Sequence, residues 1–130
     1  MKTKWIKAAF AASAIYDAIF ALVFLIFGPA IYDYFGIERP NHLGYLHFPA
    51  LLVIVFALLL WRIASDPVKY RDLIPYGIGL KISYCVVVFS HWAVGSMPVM
   101  WIPSAWIDLV FLLLFIEAWR RIGKAVRAAV

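Results

Sequence analysis

The sequence predicts an all-α integral membrane protein, a four-helix bundle whose N and C termini both lie in the cytoplasm. Three observations lead to this fold class. Of the 130 residues, 66% are hydrophobic and only 15% are charged; four apolar segments follow one another; and the basic residues flank these segments on alternate sides. A water-soluble domain is about half apolar and about a quarter charged. We therefore treat residues 1–130 as a single transmembrane domain.

The four segments predict helices at about residues 7–27, 44–64, 74–94 and 102–120. A helix needs about 20 residues to cross a ~30 Å hydrocarbon core. The first, third and fourth segments are long enough, whereas the second, FPALLVIVFALLLW, needs Gly44 to His47 as an additional turn. The start MKTKWIK resembles the n-region of a signal peptide, but the apolar run after it is longer than an h-region, which favours an uncleaved helix. Six prolines, Pro29 among them, are expected near helix ends.

The basic residues predict the orientation. Ten lie in the two termini and the second loop, one (Arg39) lies in the first loop, and one (Lys81) lies within a helix. Because loops rich in lysine and arginine stay in the cytoplasm, the first and third loops should face outside. The net charge of +5 then indicates contact with anionic membrane lipid and not with nucleic acid.

An intramembrane polar pair is predicted between Asp17 and Lys81. Helix rise places both side chains at similar depths in their helices, and ionisable groups inside a membrane normally face the bundle interior and pair. Ser13 lies four residues before Asp17, and Tyr84 lies three after Lys81, so each shares a face with its charged neighbour. Such a pair is either a structural contact that fixes helix register or a proton relay.

A second polar layer is predicted near the outer surface. It comprises His42 in the first loop, His47 at the start of the second helix, His91 near the end of the third, and Asp108 near the start of the fourth. Histidine and carboxylate can ligate zinc, iron or manganese, and paired histidines can hold haem. The spacing matches no established metal motif, so a hydrogen-bonded cluster that orients the loops is the competing interpretation.

Several classes of activity find no support in the sequence. It contains one cysteine, Cys85, so it has no intrachain disulfide and no C-x-x-C motif of a thiol redox enzyme. Cys85 is expected to be a small packing residue. No nucleophilic triad and no phosphate-binding loop is present. We therefore do not expect an enzyme.

The segment DPVKYRDLIPYGIGLKISY, residues 66–84, combines a short basic loop, a proline, glycines and an intramembrane lysine. In this it resembles small bacterial four-helix membrane proteins of the DoxX-like kind. The resemblance implies a multi-pass protein of the bacterial cytoplasmic (inner) membrane with an accessory role, in some members beside a quinone-linked oxidation. It implies no catalytic residue, and the chain lacks the cysteine pair of the thiol-redox members.

Three functions follow as hypotheses. The first is an accessory or scaffold subunit of a larger membrane complex, quinone-linked in the form that the resemblance suggests. The second is a redox protein that binds metal or haem through His42, His47, His91 and Asp108. The third is a small proton-coupled carrier that acts as a homo-oligomer, with Asp17 and Lys81 as the switching pair.

Overall fold

The computed structural model describes residues 2–130 and contains four α-helices: α1 (Lys4–Tyr34), α2 (Gly44–Ser65), α3 (Ile74–Ala93) and α4 (Ile102–Ala128). One turn of 3₁₀ helix precedes α3 (Arg71–Leu73), and another precedes α4 (Val99–Trp101). The described residues form no β-strand. All four helices are long and apolar enough to cross a membrane. The predicted all-α class with four membrane-length helices is thus confirmed.

Two helices are longer than predicted. α2 and α3 agree with the predicted bounds to within one residue, but α1 continues to Tyr34 and α4 continues to Ala128. The expectation that Pro29 lies at a helix end is wrong, because it lies inside α1. Proline is tolerated within transmembrane helices where neighbouring groups stabilise the freed backbone. α4 continues beyond its apolar stretch because the residues after that stretch are rich in alanine, lysine and arginine, which favour helix.

The helices alternate in direction, which gives the bundle two ends. We call the end that holds the start of α1, the end of α2, the start of α3 and the end of α4 the termini face. The opposite end, with the connections at residues 35–43 and 94–101, is the loop face. Ten of the twelve lysines and arginines lie toward the termini face by their sequence positions.

Both helices that end at the loop face stop in the same way. Gly36 after α1 and Gly95 after α3 have φ values of 66° and 77°, in the left-handed region that glycine enters without steric cost. The glycine amides bond back to Asp33 and Trp92, and the next amides, of Ile37 and Ser96, bond to Tyr32 and His91. This pair of hydrogen bonds is the Schellman motif. It terminates α1 and α3 and turns the chain toward the next helix.

Packing is tightest toward the termini face. α1 packs along α2 and α3 packs along α4, whereas α2 and α3 make few contacts. A cluster of buried apolar side chains comprises Ile6, Phe10, Ala14, Leu60, Ile63, Ala64, Ile74, Phe115, Ala118 and Ile122. These residues belong to the halves of the helices nearer the termini face. The loop-face half, in contrast, contains a cavity.

Candidate functional site

Three ionisable side chains meet in the middle of the bundle. Lys81 of α3 is fully buried, and its Nζ lies 2.9 and 2.8 Å from the two carboxylate oxygens of Asp17 on α1. The same Nζ lies 3.0 Å from Oδ1 of Asp108 on α4. An ammonium group has three N–H donors, so these three hydrogen bonds use all of them. We call Asp17, Lys81 and Asp108 the charged triad.

The neighbouring residues explain why the two carboxylates face inward. On α1, Ala14 and Ala21 lie one turn before and about one turn after Asp17, and both are buried. On α4, Ala105 and Leu112 flank Asp108 and are buried as well. Residues three or four apart share a helix face. The small alanines on these faces let α1 and α4 approach closely enough for both carboxylates to reach one ammonium.

The sequence placed Asp17 and Lys81 together, and the structure brings them into direct contact. It corrects the assignment of Asp108, which was expected beside His91 in an outer layer but bonds to Lys81 instead. Counting residues from the start of the helix gives only an approximate depth for Asp108. It does not determine the tilt or the rotation of α4. A signal was present in the sequence: Ser104, Ala105 and Asp108 share a helix face with Leu112 and Phe115, and all five are buried.

Ser13 and Tyr84 lie close to the triad but are not bonded to Lys81. The Tyr84 hydroxyl lies 2.6 Å from Ser104 Oγ, and Ser104 Oγ in turn donates to the Trp101 carbonyl at 2.9 Å. Ser104 precedes Asp108 by one turn, so Tyr84 and Ser104 lie between the triad and the loop face. Ser13 is fully buried, and its hydroxyl finds no hydrogen-bond partner among the described residues.

The triad also has an aromatic neighbour on α4. Lys81 Nζ lies 5.4 Å from the centre of the Phe111 ring. A cation over a ring face at this distance is attracted by the negative face of the π-system. Phe111 in turn packs against Tyr16 of α1 and Phe115 of α4. On the side of α4, the triad is therefore covered by an aromatic cluster that is centred on Phe111.

A cavity of about 510 Å³ lies in the loop-face half of the bundle. Cavities of roughly 300–1,000 Å³ are typical of small-molecule sites. Its wall is mostly apolar and includes Phe20 and Phe24 of α1 and Trp101, whose ring stacks on Phe24 at 4.8 Å. Side chains from α1, α2, α3 and the connection between α3 and α4 all contribute. Because α2 and α3 make few contacts, this half of the bundle has room for a guest molecule.

The polar groups of the cavity are few and separated. Tyr84 lines it near the triad, while His91 and Ser96 line it toward the loop face. His91 Nδ1 and Ser96 Oγ form a hydrogen bond of 3.3 Å. A mostly apolar wall with a small number of polar groups is the usual composition of a site for a small organic molecule. Tyr84 belongs to both the cavity and the network that reaches Ser104.

The predicted histidine and aspartate cluster does not form. His42 Nδ1 accepts the backbone N–H of Gly44 at 2.9 Å and so helps to start α2. His91 is exposed and bonds to Ser96, and His47 is half-buried in the first turn of α2. Within residues 2–130, no three histidine, cysteine, aspartate or glutamate side chains are placed to hold a metal ion. The proposed ligand set of His42, His47, His91 and Asp108 is therefore wrong as a group, since Asp108 faces Lys81.

No family model matches the chain, and neither a curated protein nor a solved structure is significantly similar to it. No known protein therefore assigns the fold or the site, and the geometry alone describes them. The chain is a membrane-type four-helix bundle with a buried charged triad and an aromatic cavity.

Proposed function

We propose that this chain is a small integral membrane subunit that binds a predominantly apolar organic molecule in the cavity near its loop face. The cavity of about 510 Å³ between α1, α2 and α3 is the observation that carries this proposal. It lies among helices that are apolar enough to cross a membrane. A molecule dissolved in the bilayer could therefore reach it without crossing water.

The lining defines the chemical class of the ligand. The rings of Phe20, Phe24 and Trp101 favour a flat or aromatic molecule, because offset aromatic contacts contribute beyond simple area burial. The Tyr84 hydroxyl and the His91 ring, at separate places on the wall, favour hydrogen-bonding oxygens at two places on the ligand. A quinone headgroup has this combination, which is also what the DoxX-like resemblance of residues 66–84 suggests.

Binding can be tested on the detergent-purified protein with menadione, a quinone that has no isoprenoid tail. Quinones quench indole fluorescence, and Trp101 is the one of the six tryptophans that lines the cavity. We therefore expect saturable quenching of part of the tryptophan fluorescence, together with an increase in the unfolding temperature. Ala50 on α2 lines the cavity and is buried. The variant Ala50→Phe should fill the cavity and weaken binding by at least about tenfold, which corresponds to ~1.4 kcal/mol.

The matched control is Ala12→Phe, the same substitution at an exposed position of α1. It should bind menadione as the unchanged protein does. Quenching that does not saturate, or that is equal in all three proteins, would indicate partition into the micelle and would refute the proposed site.

We further propose that the protein acts as an accessory subunit of a larger membrane complex, with its termini face in the cytoplasm of a bacterial cell. Many large apolar side chains are exposed along the helices, among them Ile26, Leu58, Val86 and Leu113. These surfaces can face lipid or a partner helix. Copurification with a larger assembly in a mild detergent would support the subunit role, and a stable monomer without partners would contradict it.

A proton-coupled carrier is the second candidate, and one observation favours it. The cavity lies on the loop-face side of the charged triad, while the apolar cluster closes the termini-face side. A carrier needs a central site that is open to one side at a time. Uptake of a substrate into proteoliposomes that is unchanged in Asp17→Asn would exclude this candidate.

A further inference from the structure

The charged triad contains two carboxyl groups and only one ammonium group. If all three groups were ionised, the site would have a net charge of −1. Side-chain exposure is 0% for Lys81, 7% for Asp17 and 9% for Asp108. An uncompensated charge in such surroundings is strongly unfavourable, and a buried group usually becomes neutral instead. Two carboxylates that share one site also repel each other, which disfavours ionisation of both.

Among residues 2–130, no other cation is placed to compensate the second carboxylate. α2 has no ionisable side chain between His47 and Arg62, which lie near its two ends. From α1, α3 and α4 the ionisable groups near the triad, apart from its own members, are the hydroxyls of Tyr16 and Tyr84 and the thiol of Cys85. Each of these is neutral when protonated and adds no positive charge.

We propose that the charged triad is a proton-binding site that holds one exchangeable proton at neutral pH, on Asp108. Asp17 accepts two hydrogen bonds from Lys81 through both oxygens, which suits a carboxylate. Asp108 accepts only one, through Oδ1. Its Oδ2 is outside the ion pair and can carry the proton. One ammonium, one carboxylate and one carboxylic acid make the site neutral.

The side chains around Asp108 let its proton exchange only toward the loop face. Toward the termini face, the fully buried rings of Phe10 and Phe115 close the path. Toward the loop face, Ser104 lies one turn before Asp108 on α4, its hydroxyl is hydrogen-bonded to that of Tyr84, and Tyr84 lines the cavity. Hydroxyls both donate and accept hydrogen bonds. The proton on Asp108 therefore exchanges by way of Ser104, Tyr84 and the cavity. The presence of the proton on Asp108 depends on the triad alone, whether or not the cavity binds a quinone.

Infrared spectroscopy of the purified protein tests the proposal directly. A protonated carboxyl group has a C=O stretching band above the amide I frequency, and this band shifts in D₂O, whereas a carboxylate has none there. We expect the band of one carboxyl group at neutral pH. Asp17→Asn and Asp108→Asn should each abolish it, because one carboxylate then faces one ammonium. Lys81→Met should double it, because both carboxyl groups must then be protonated.

The control is Asp33→Asn at the loop face, where the exposed Asp33 pairs with Arg39. This variant should leave the band unchanged. Absence of the band from the unchanged protein at neutral pH would overturn the proposal without any variant, and a band that persists in both aspartate variants would do so too. Circular dichroism of each variant establishes that its helices are intact.

The exchange path can be tested separately. Tyr84→Phe should slow the shift of the band after transfer to D₂O.

Discussion

Phe10 and Phe115 stack face to face, with ring centroids 4.2 Å apart and ring planes inclined by 9°. Phe10 lies seven residues before Asp17, and Phe115 lies seven residues after Asp108. Because seven residues make about two helical turns, the stack lies between the charged triad and the termini face. The same two helices therefore supply both the carboxylates and the aromatic pair that separates them from the basic side of the protein.

Phe115→Ala should destabilise the bundle by about 1–3 kcal/mol. The cost in water-soluble cores is about 3–5 kcal/mol, but between membrane helices the transfer contribution is small and the lost packing remains. Unfolding by sodium dodecyl sulfate in mixed micelles, followed by circular dichroism, measures the change. Leu113→Ala on the lipid-facing side of α4 is the control and should change stability by less than about 0.5 kcal/mol. Equal losses in both variants would contradict the role of the stack.

The two triad aspartates should differ in their contribution to stability. Asp17→Asn removes the carboxylate that accepts two hydrogen bonds from Lys81. Asp108 then gives up its proton and pairs with Lys81 through its single contact, so the cost should be about 2 kcal/mol, that of a lost hydrogen bond to a charged group. Asp108→Asn resembles the neutral acid in shape and in hydrogen bonding, so its cost should be about 1 kcal/mol.

The same denaturation assay measures both variants, and Asp72→Asn, at an exposed position before α3, provides the baseline. A larger loss for Asp108→Asn than for Asp17→Asn would reverse the proposed assignment of charge within the triad.

The sequence was sufficient for the number of helices, for the bounds of α2 and α3, and for two of the three members of the triad. The bounds of α2 and α3 follow from apolar runs that end at polar residues and prolines, and the depths of Asp17 and Lys81 follow from helix rise. The position of Asp108 could not be obtained in this way. It depends on how α4 is rotated and tilted against α3, which is a property of side-chain packing between helices. The cavity likewise depends on the few contacts between α2 and α3, which no single segment encodes.

Gly95→Ala should destabilise the end of α3. Gly95 has a φ of 77°, and the left-handed conformation costs a residue with a Cβ atom about 1–2 kcal/mol. Gly79→Ala is the matched control, because a Cβ atom at this helical position would meet open space. Helix propensity favours alanine over glycine by about 1 kcal/mol. The two variants should therefore shift the unfolding midpoint in opposite directions, and a shift in the same direction would contradict the role of Gly95.

The orientation in the membrane can be measured with single cysteines in a Cys85→Ala background. Ser96→Cys lies in the connection at the loop face, and Ala128→Cys lies at the end of α4 on the termini face. Because the basic residues favour a cytoplasmic termini face, a membrane-impermeant maleimide should label Ser96→Cys in intact cells. It should label Ala128→Cys only after lysis. The reverse pattern would invert the proposed orientation.

The central position of Lys81 imposes an order on biosynthesis. The ribosome delivers α1 to the bilayer first, so Asp17 is already within the hydrocarbon when α3 emerges from the translocon. A lysine at the middle of a helix opposes insertion by about 3 kcal/mol, and Asp17 can offset this while α4 is still being synthesised. Asp108 arrives last and completes the site. Loss of Asp17 should therefore reduce the yield of inserted protein during translation, whereas loss of Asp108 should affect only the finished bundle.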